Sequence, residues 1–402
     1  MKILYVVSGT GLQGGATKSF FAMADGVAAA GHEIRIVAPD GNGVTVAARE
    51  RGWEVLVVPY RFATLPALST GKDKVLFLPR LLKSLIVNRK ARKVVERYVE
   101  EYRPDIIHDN TSVTDIGHYA AEHIGAIHVT HVREYGWKDF RLLNPGLKKR
   151  LKYSKAALIA ITEDLKKLRG KFLPEAKKST IYNGVVSAEM IRYKSDKSPY
   201  FLYAGRVQHA KGVSDLIAAY IKYCDEVVAE GKTPLRLIMA GSLKHEPKLC
   251  SHLQTQLQKA GYNKNVDWLG EITGVDKYME QAAATVIPSY REGFGRVMPE
   301  AMAAGSLCIG RNTGGTAEQL ENGRKITGRD IALSFCNDSD SGVGRLASLL
   351  QQVDTAYRAG ELTREGGEYH RMIKDAQTTI SRLYLREEVG RKVLDFYSTL
   401  LR

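Results

Sequence analysis

The chain opens on a short apolar run, Ile3–Val7, then a polar, glycine-bearing loop, then Thr17–Ala30, where Phe20, Phe21, Ala24, Val27 and Ala28 recur at helical spacing. Gly31 follows where a helix takes its left-handed terminal residue. The alternation continues through Ile34–Ala38, Val55–Val58, Ile106–Ile107, Ile127–Thr130 and Ala157–Ile161, short apolar runs separated by longer amphipathic stretches. Such runs read as strands covered on both faces, and their alternation with helices predicts a parallel α/β sheet. After the polar, proline-bearing segment Lys194–Pro199 the pattern restarts, with Tyr200–Ala204, Leu235–Ala240, Val266–Leu269, Thr285–Ile287 and Ser306–Gly310 as strands. The expectation is a doubly wound domain over residues 1–193, a linker over 194–199 and a second doubly wound domain over 200–377. The remainder, 378–402, carries Ile380, Leu383, Val389, Val393 and Tyr397 at helical spacing.

Length and composition agree with this division. A chain of 402 residues with 44% hydrophobic and 26% charged residues is globular and builds large cores without staples. Its cysteines, Cys224, Cys250, Cys308 and Cys336, are scattered and include no CxxC pair, which excludes a zinc ribbon or disulfide scaffold. The sequence holds no apolar run long enough to span a membrane and no signal-peptide pattern at its start, so a cytoplasmic protein is expected. The net charge of +15 calls for an anionic partner: nucleic acid, a membrane surface or small anions. Two stretches concentrate it. From Arg80 to Arg103 there are eight basic residues against three acidic, interleaved with leucines from Leu78 to Leu85. Lys148, Lys149, Arg150, Lys152 and Lys155 form the second, near Trp137, Phe140 and Leu142.

Two loops carry candidate chemistry. The first reads Gly9-Thr-Gly11-Leu-Gln-Gly14-Gly15 between a strand and a helix, with Asp40 after the next strand. G-x-G-x-x-G is a dinucleotide fingerprint, but the spacing also suits a plain strand-to-helix turn or a phosphate loop without nicotinamide. The second is Glu292-Gly293-Phe294-Gly295-Arg296-Val297-Met298-Pro299-Glu300, which leaves the strand ending at Ile287 and enters a helix closed by Gly305. Pro299 and Glu300 suit a first helical turn. A glycine loop at a strand's carboxyl end offers amides to phosphate, and two carboxylates beside it suit sugar hydroxyls.

This second loop resembles the E-x7-E motif of family 4 retaining glycosyltransferases of the GT-B fold, with Glu292 and Glu300 as the pair. The resemblance covers nearly the whole chain. Gly14 and Gly15 resemble that family's first-loop glycines, His131 its histidine after an N-domain strand, Thr162-Glu163 its S-E step and Asn183-Gly184-Val185 its entry to the linker. Arg206 and Lys211 match its phosphate-binding cations, and Gly314-Gly315…Glu318 its next loop. The chain departs from the family at Gly241-Ser-Leu, where G-x-G-P is usual, at Val132-Arg133 after His131, and at Val186.

The resemblance implies two Rossmann-like domains facing each other across a cleft, the C-terminal helix crossing back to the first. It implies a sugar nucleotide, UDP- or GDP-linked, as substrate with no cofactor and no metal. His131, Glu292, Arg206 and Lys211 would be catalytic. Gly14, Gly15, Arg206, Lys211, Gly241, Gly293, Phe294, Gly295 and Glu300 would hold the donor. Glu318 serves equally as a helix-cap residue, and His108 reads better as core than as an acceptor contact. The acceptor would be a saccharide or lipid-linked and not nucleic acid, with peripheral contact on the inner face of an anionic membrane suggested by the basic stretches. The competing readings are an NAD-dependent oxidoreductase using the first loop and a sugar-nucleotide epimerase of the same fold. A glycoside hydrolase would leave Arg206 and Lys211 without a role.

Overall fold

The computed structural model describes residues 1–12, 14–68, 70–135, 146–336 and 342–402. The chain forms two compact units, Met1–Gly184 with Arg386–Arg402, and Val185–Leu385.

The first unit is built on a seven-stranded sheet in the order β3-β2-β1-β4-β5-β6-β7. Its strands are β1 Lys2–Val6, β2 Glu33–Ala38, β3 Glu54–Val57, β4 Ile106–Asp109, β5 Ile127–Val132, β6 Ala156–Ala160 and β7 Lys178–Thr180. All pair in parallel. The β6 side chains are buried throughout, as its continuous apolar run requires of a sheet covered on both faces, and β4 is buried throughout although it ends on the polar His108 and Asp109. The helix Gly15–Ala29 covers one face together with the C-terminal helix Arg386–Leu401. These two helices touch at Gly26 and Gly390, where a Cβ on Gly390 would lie 2.6 Å from the Gly26 Cα, so only paired glycines allow the approach.

The second unit carries a six-stranded parallel sheet, β10-β9-β8-β11-β12-β13. Its strands are β8 Ser198–Ala204, β9 Arg236–Ala240, β10 Val266–Gly270, β11 Ala282–Ile287, β12 Cys308–Arg311 and β13 Leu333–Phe335. In each sheet the winding direction reverses once, between β1 and β4 and between β8 and β11, and doubly wound sheets bind ligands at such reversals, beyond the strands' carboxyl ends.

Three expectations change. The division falls after Gly184, and Lys194–Pro199 is no free linker: Ser198 and Pro199 begin β8. The buried Lys197 ammonium there donates to the carbonyls of Glu280, at 2.7 Å, and Gly305, at 2.8 Å. The C-terminal pattern is two helices, Glu368–Leu383 in the second unit and Arg386–Leu401 in the first. The strands β7 and β13 were too short, at three residues each, to stand out as apolar runs.

The basic stretches also separate. Phe77–Tyr102 is one helix whose carboxyl half packs inward through Asn88, Ala91, Val95, Val99 and Tyr102. Its amino half does not: Leu78, Leu82, Leu85 and Ile86 are 65, 58, 56 and 56% exposed. In the second cluster Lys148, Lys149, Lys152 and Lys155 are exposed, but Arg150 is buried and donates to the carbonyls of Ser112, at 3.0 Å, and Thr114. Trp137, Phe140 and Leu142 lie outside the described residues. Among the described residues no helix is long and apolar enough to cross a membrane.

Candidate active site

In the second unit, β8 ends at Ala204 and the chain turns through Gly205 and Arg206 into a short 3-10 turn, His209–Lys211, before the helix Val213–Ala229. Arg206 is exposed. The adjacent β9 ends at Ala240 and is followed by Gly241, which has φ +150°, and a Cβ there would sit 1.8 Å from the Gly205 carbonyl oxygen. No side chain fits between these two strand ends, so Gly241 has a steric reason to be glycine even without the G-x-G-P motif.

The loop after β11 supplies the carboxylate. Lys211 Nζ lies 2.6 Å from Glu292 Oε1, with side chains 25 and 18% exposed. The buried Tyr203 hydroxyl feels the charges of both Glu292 and Arg206. Lys211 and Glu292 thus meet at the β8–β11 reversal, with Arg206 on the same loop as Lys211, its carbonyl accepting from the Tyr203 hydroxyl at 2.7 Å. The Glu292 carbonyl accepts from the Gly315 amide at 2.8 Å, and Gln319 Nε2 donates to the carbonyls of Phe294, at 2.6 Å, and Gly295, at 3.2 Å. The Phe294 ring is buried edge-on against Tyr384, so this residue offers a ligand its backbone and not its ring. Glu300 sits in the first turn of the helix Val297–Ala303 and pairs with Arg296 at 3.3 Å, apart from the Lys211–Glu292 pair. Gly305 ends that region with φ +70°, the terminal role its position implied. Glu318 lies inside the helix Gly314–Thr327, past its cap, so it is no capping residue.

Beneath this loop is an ion pair that sequence reasoning missed. Arg311, at the end of β12, is fully buried. It donates through Nε to the Pro288 carbonyl at 2.8 Å and through Nη2 to Asp215 Oδ2 at 2.5 Å. Tyr290 donates to the other Asp215 oxygen at 2.9 Å. Pro288, Tyr290 and the first turn of the helix Val213–Ala229 are therefore fixed together.

His131 lies in the first unit, on β5, and is almost fully buried. Its ring stacks on His108 at 5.3 Å, and its Nδ1 is 3.2 Å from His108 Nε2 and 3.3 Å from Arg133 Nη2. Burial, and next the charge of Arg133, hold its pKa well below the ordinary histidine value. Arg133 is the hub of this network: it donates to the Asn110 carbonyl at 2.9 Å, Asn110 Oδ1 at 3.0 Å and Asn183 Oδ1 at 2.6 Å. Glu134 accepts from the Ser112 hydroxyl at 3.0 Å, and burial raises its pKa above the usual carboxylate range. His108 is fully buried, as its core reading expected, while Arg133 and Asn110 were missed as neighbours of His131. The available signal was polarity where a covered strand should be apolar, in His108-Asp109-Asn110 and His128-Val-Thr-His131.

The first loop does not support the dinucleotide reading. Gly14 precedes the helix Gly15–Ala29 as its N-cap, but Gly9 and Gly11 have nothing within 4 Å of an added Cβ, so packing does not demand them. The cavity bordered by Gly9, Gly11, Thr17 and Asn110 is about 110 Å³, well short of a cofactor pocket. Asp40, which would have to meet a ribose, instead accepts from the Thr10 hydroxyl at 2.8 Å and the Asn42 amide at 2.9 Å.

Comparison with known proteins agrees with these two units. Residues 13–189 match the family described as Glycosyltransferase Family 4, and residues 189–365 match Glycosyl transferases group 1. A Klebsiella pneumoniae relative, described as an uncharacterized 42.6 kDa protein in the cps region, is 23% identical over 333 residues, 76% of this chain and 83% of its own. The alpha-maltose-1-phosphate synthase of Mycolicibacterium smegmatis is 29% identical over 175 residues, and the match spans only 42% of either chain. Among solved structures, Anabaena HepE in complex with UDP superposes with a TM-score of 0.74 at 18% identity, covering 99% of this chain and 100% of that one. With its two parallel Rossmann-like units and its matches to both glycosyltransferase families, the chain belongs to the GT-B glycosyltransferases of the family 4 type.

Proposed function

We propose that this enzyme is a retaining, metal-independent hexosyltransferase that uses a UDP- or GDP-linked sugar. The observation that carries the reading is the Lys211–Glu292 pair at the carboxyl ends of β8 and β11, with Arg206 on the same loop as Lys211. A diphosphate is the ligand that two cations recognise, through charge-assisted bonds of about 1.5–3 kcal/mol each. As the bond to the anomeric carbon breaks, negative charge grows on the leaving phosphate, and Arg206 and Lys211 supply the positive field that a divalent ion supplies elsewhere. Glu292, held by Lys211, accepts from a sugar hydroxyl, and the amides of Gly293, Phe294 and Gly295 orient the ring. Glu300 accepts from the ribose hydroxyls. Gly241 keeps the floor open for the nucleotide, and in the first unit Gly14 and Gly15 are the candidate ligand-facing glycines. His131 is the first unit's candidate for a sugar contact; its buried Nε2, which has no partner among the described residues, is a polar group in need of one. UDP is the first base to test, because Anabaena HepE is seen with UDP.

The acceptor side is the first unit. The exposed leucines of the helix Phe77–Tyr102, flanked by Lys83, Arg89, Lys90, Lys93 and Arg97, suit the anionic inner leaflet of a membrane at about 1 kcal/mol per cation near the surface. This supports a cytoplasmic, peripheral enzyme acting on a lipid-linked or saccharide acceptor in cell-surface polysaccharide or glycolipid synthesis.

The test is hydrolysis and transfer across UDP-, GDP- and ADP-sugars, with and without a chelator. One UDP- or GDP-sugar is expected to react, chelator is expected to have no effect, and the product is expected to keep the anomeric configuration. Lys211→Ala and Glu292→Gln should abolish transfer in folded protein; full turnover in both would reject the site. Sedimentation with anionic vesicles should fall as salt shortens the screening length. No binding at low salt would reject the membrane contact alone.

A further inference from the structure

Tyr5, Tyr397, His108 and His131 stand in line inside the first unit, on β1, the C-terminal helix, β4 and β5. His108 Nδ1 meets the Tyr397 hydroxyl, with the Tyr5 hydroxyl 3.4 Å behind it. His108 Nε2 faces His131 Nδ1 at 3.2 Å, and Arg133 Nη2 faces that same nitrogen at 3.3 Å. A guanidinium only donates, so His131 Nδ1 is an acceptor. A neutral imidazole carries one N–H, so the His131 proton is on Nε2. His108 Nε2 then faces an acceptor and must carry the His108 proton, which leaves His108 Nδ1 to accept from Tyr397. Each group has one role, and the roles interlock.

We propose that Tyr397 and His108 are positioning residues that hold His131 as its Nε2–H tautomer, so that it offers the substrate a hydrogen-bond donor and not a base. This rests on reading His131 as a substrate contact. Both rings stay neutral: burial lowers the His108 pKa to about 3, with Arg133 and His128 adding to it and Asp109 opposing. Arg133 and His108 likewise oppose a charge on His131. The C-terminal helix thus reaches the site through a hydroxyl 289 residues away in sequence from the imidazole it holds.

The test reads the tautomer directly. In protein labelled with 15N-histidine, the signals of His131 are identified by their loss in His131→Asn. The native protein should show His131 with a protonated Nε2 and a bare Nδ1. In Tyr397→Phe and in His108→Leu a second tautomer should appear, and kcat should fall about three- to tenfold, the usual scale for one lost hydrogen bond, with the donor KM within about twofold. His108→Gln, whose amide N–H can stand where Nε2–H stood, should restore both. A native His131 protonated on Nδ1, or a pattern unmoved by both variants, would overturn the proposal. A tautomer shift with unchanged transfer would leave the coupling standing and remove His131 from the substrate contacts instead.

Discussion

Arg311→Met is the most informative perturbation of the second unit. The native guanidinium is fully buried and meets Asp215 at 2.5 Å and the Pro288 carbonyl at 2.8 Å. Its carbon lies 4.7 Å from the Tyr290 ring centre and 4.8 Å from that of Phe335. Methionine fills much of the volume but removes the charge, leaving the buried Asp215 carboxylate with only the Tyr290 hydroxyl among these partners. Breaking one side of a buried pair costs about 3–5 kcal/mol, mainly the desolvation of the remaining ion. For a unit of about 200 residues, each kcal/mol moves the melting temperature by about 2–4 °C, so the expected drop is roughly 6–20 °C. The double variant Arg311→Met/Asp215→Leu leaves no buried ion and should recover most of that loss. Calorimetry of the native, single and double variants closes the cycle. A drop below about 2 °C in Arg311→Met, or a double variant no better than the single, would refute the view that this pair pins the loop carrying Glu292.

Gly241→Ala forces a Cβ to within 1.8 Å of the Gly205 carbonyl at φ +150°, so it should cost at least about 1–3 kcal/mol and abolish the thermal shift produced by UDP; an unchanged shift would place the nucleotide elsewhere. Arg150→Met, which removes a buried cation bonded to two loop carbonyls, should destabilise by about 3 kcal/mol or more, whereas the exposed Lys149→Ala should stay within about 0.5 kcal/mol in urea unfolding. Burial holds His108, His118 and His131 neutral, the first two with pKa lowered to about 3. Unfolded, each titrates near pH 6.5, so below that the unfolded chain binds more protons and stability falls as pH falls, by up to about 4 kcal/mol per pH unit for the three together. Glu134 and Asp115, raised by burial, take up protons in the folded state and offset part of this at lower pH. Thermal melts should be flat between about pH 7 and 8, up to where the buried Lys197 begins to titrate, and decline below 6.5; a melting point unchanged down to about pH 5.5 would contradict the neutral histidines.

What the sequence determined was the local and the repetitive. Among the described residues eleven of thirteen strands were legible because a covered parallel strand is mostly apolar, and β7 and β13 escaped because three residues make no pattern. Glu292, Arg206 and Lys211 stood out as candidates because each follows a strand in a loop of characteristic glycine spacing, and Glu300 because it opens the helix after the second of these loops. Only the tertiary structure decided which polar residues meet. Asp215 and Arg311 are 96 positions apart, and Arg133 and Asn183 are 50 apart. No periodicity records such a pair, because it forms only when parallel strands bring their carboxyl ends to one edge. The same holds for the cations. Arg150 and Lys149 are neighbours of one charge and one apparent purpose in sequence, yet one is buried on two carbonyls while the other lies in solvent. Charge is a property of the residue, but the work a charge does depends on the dielectric and the partners around it, and folding alone assigns those.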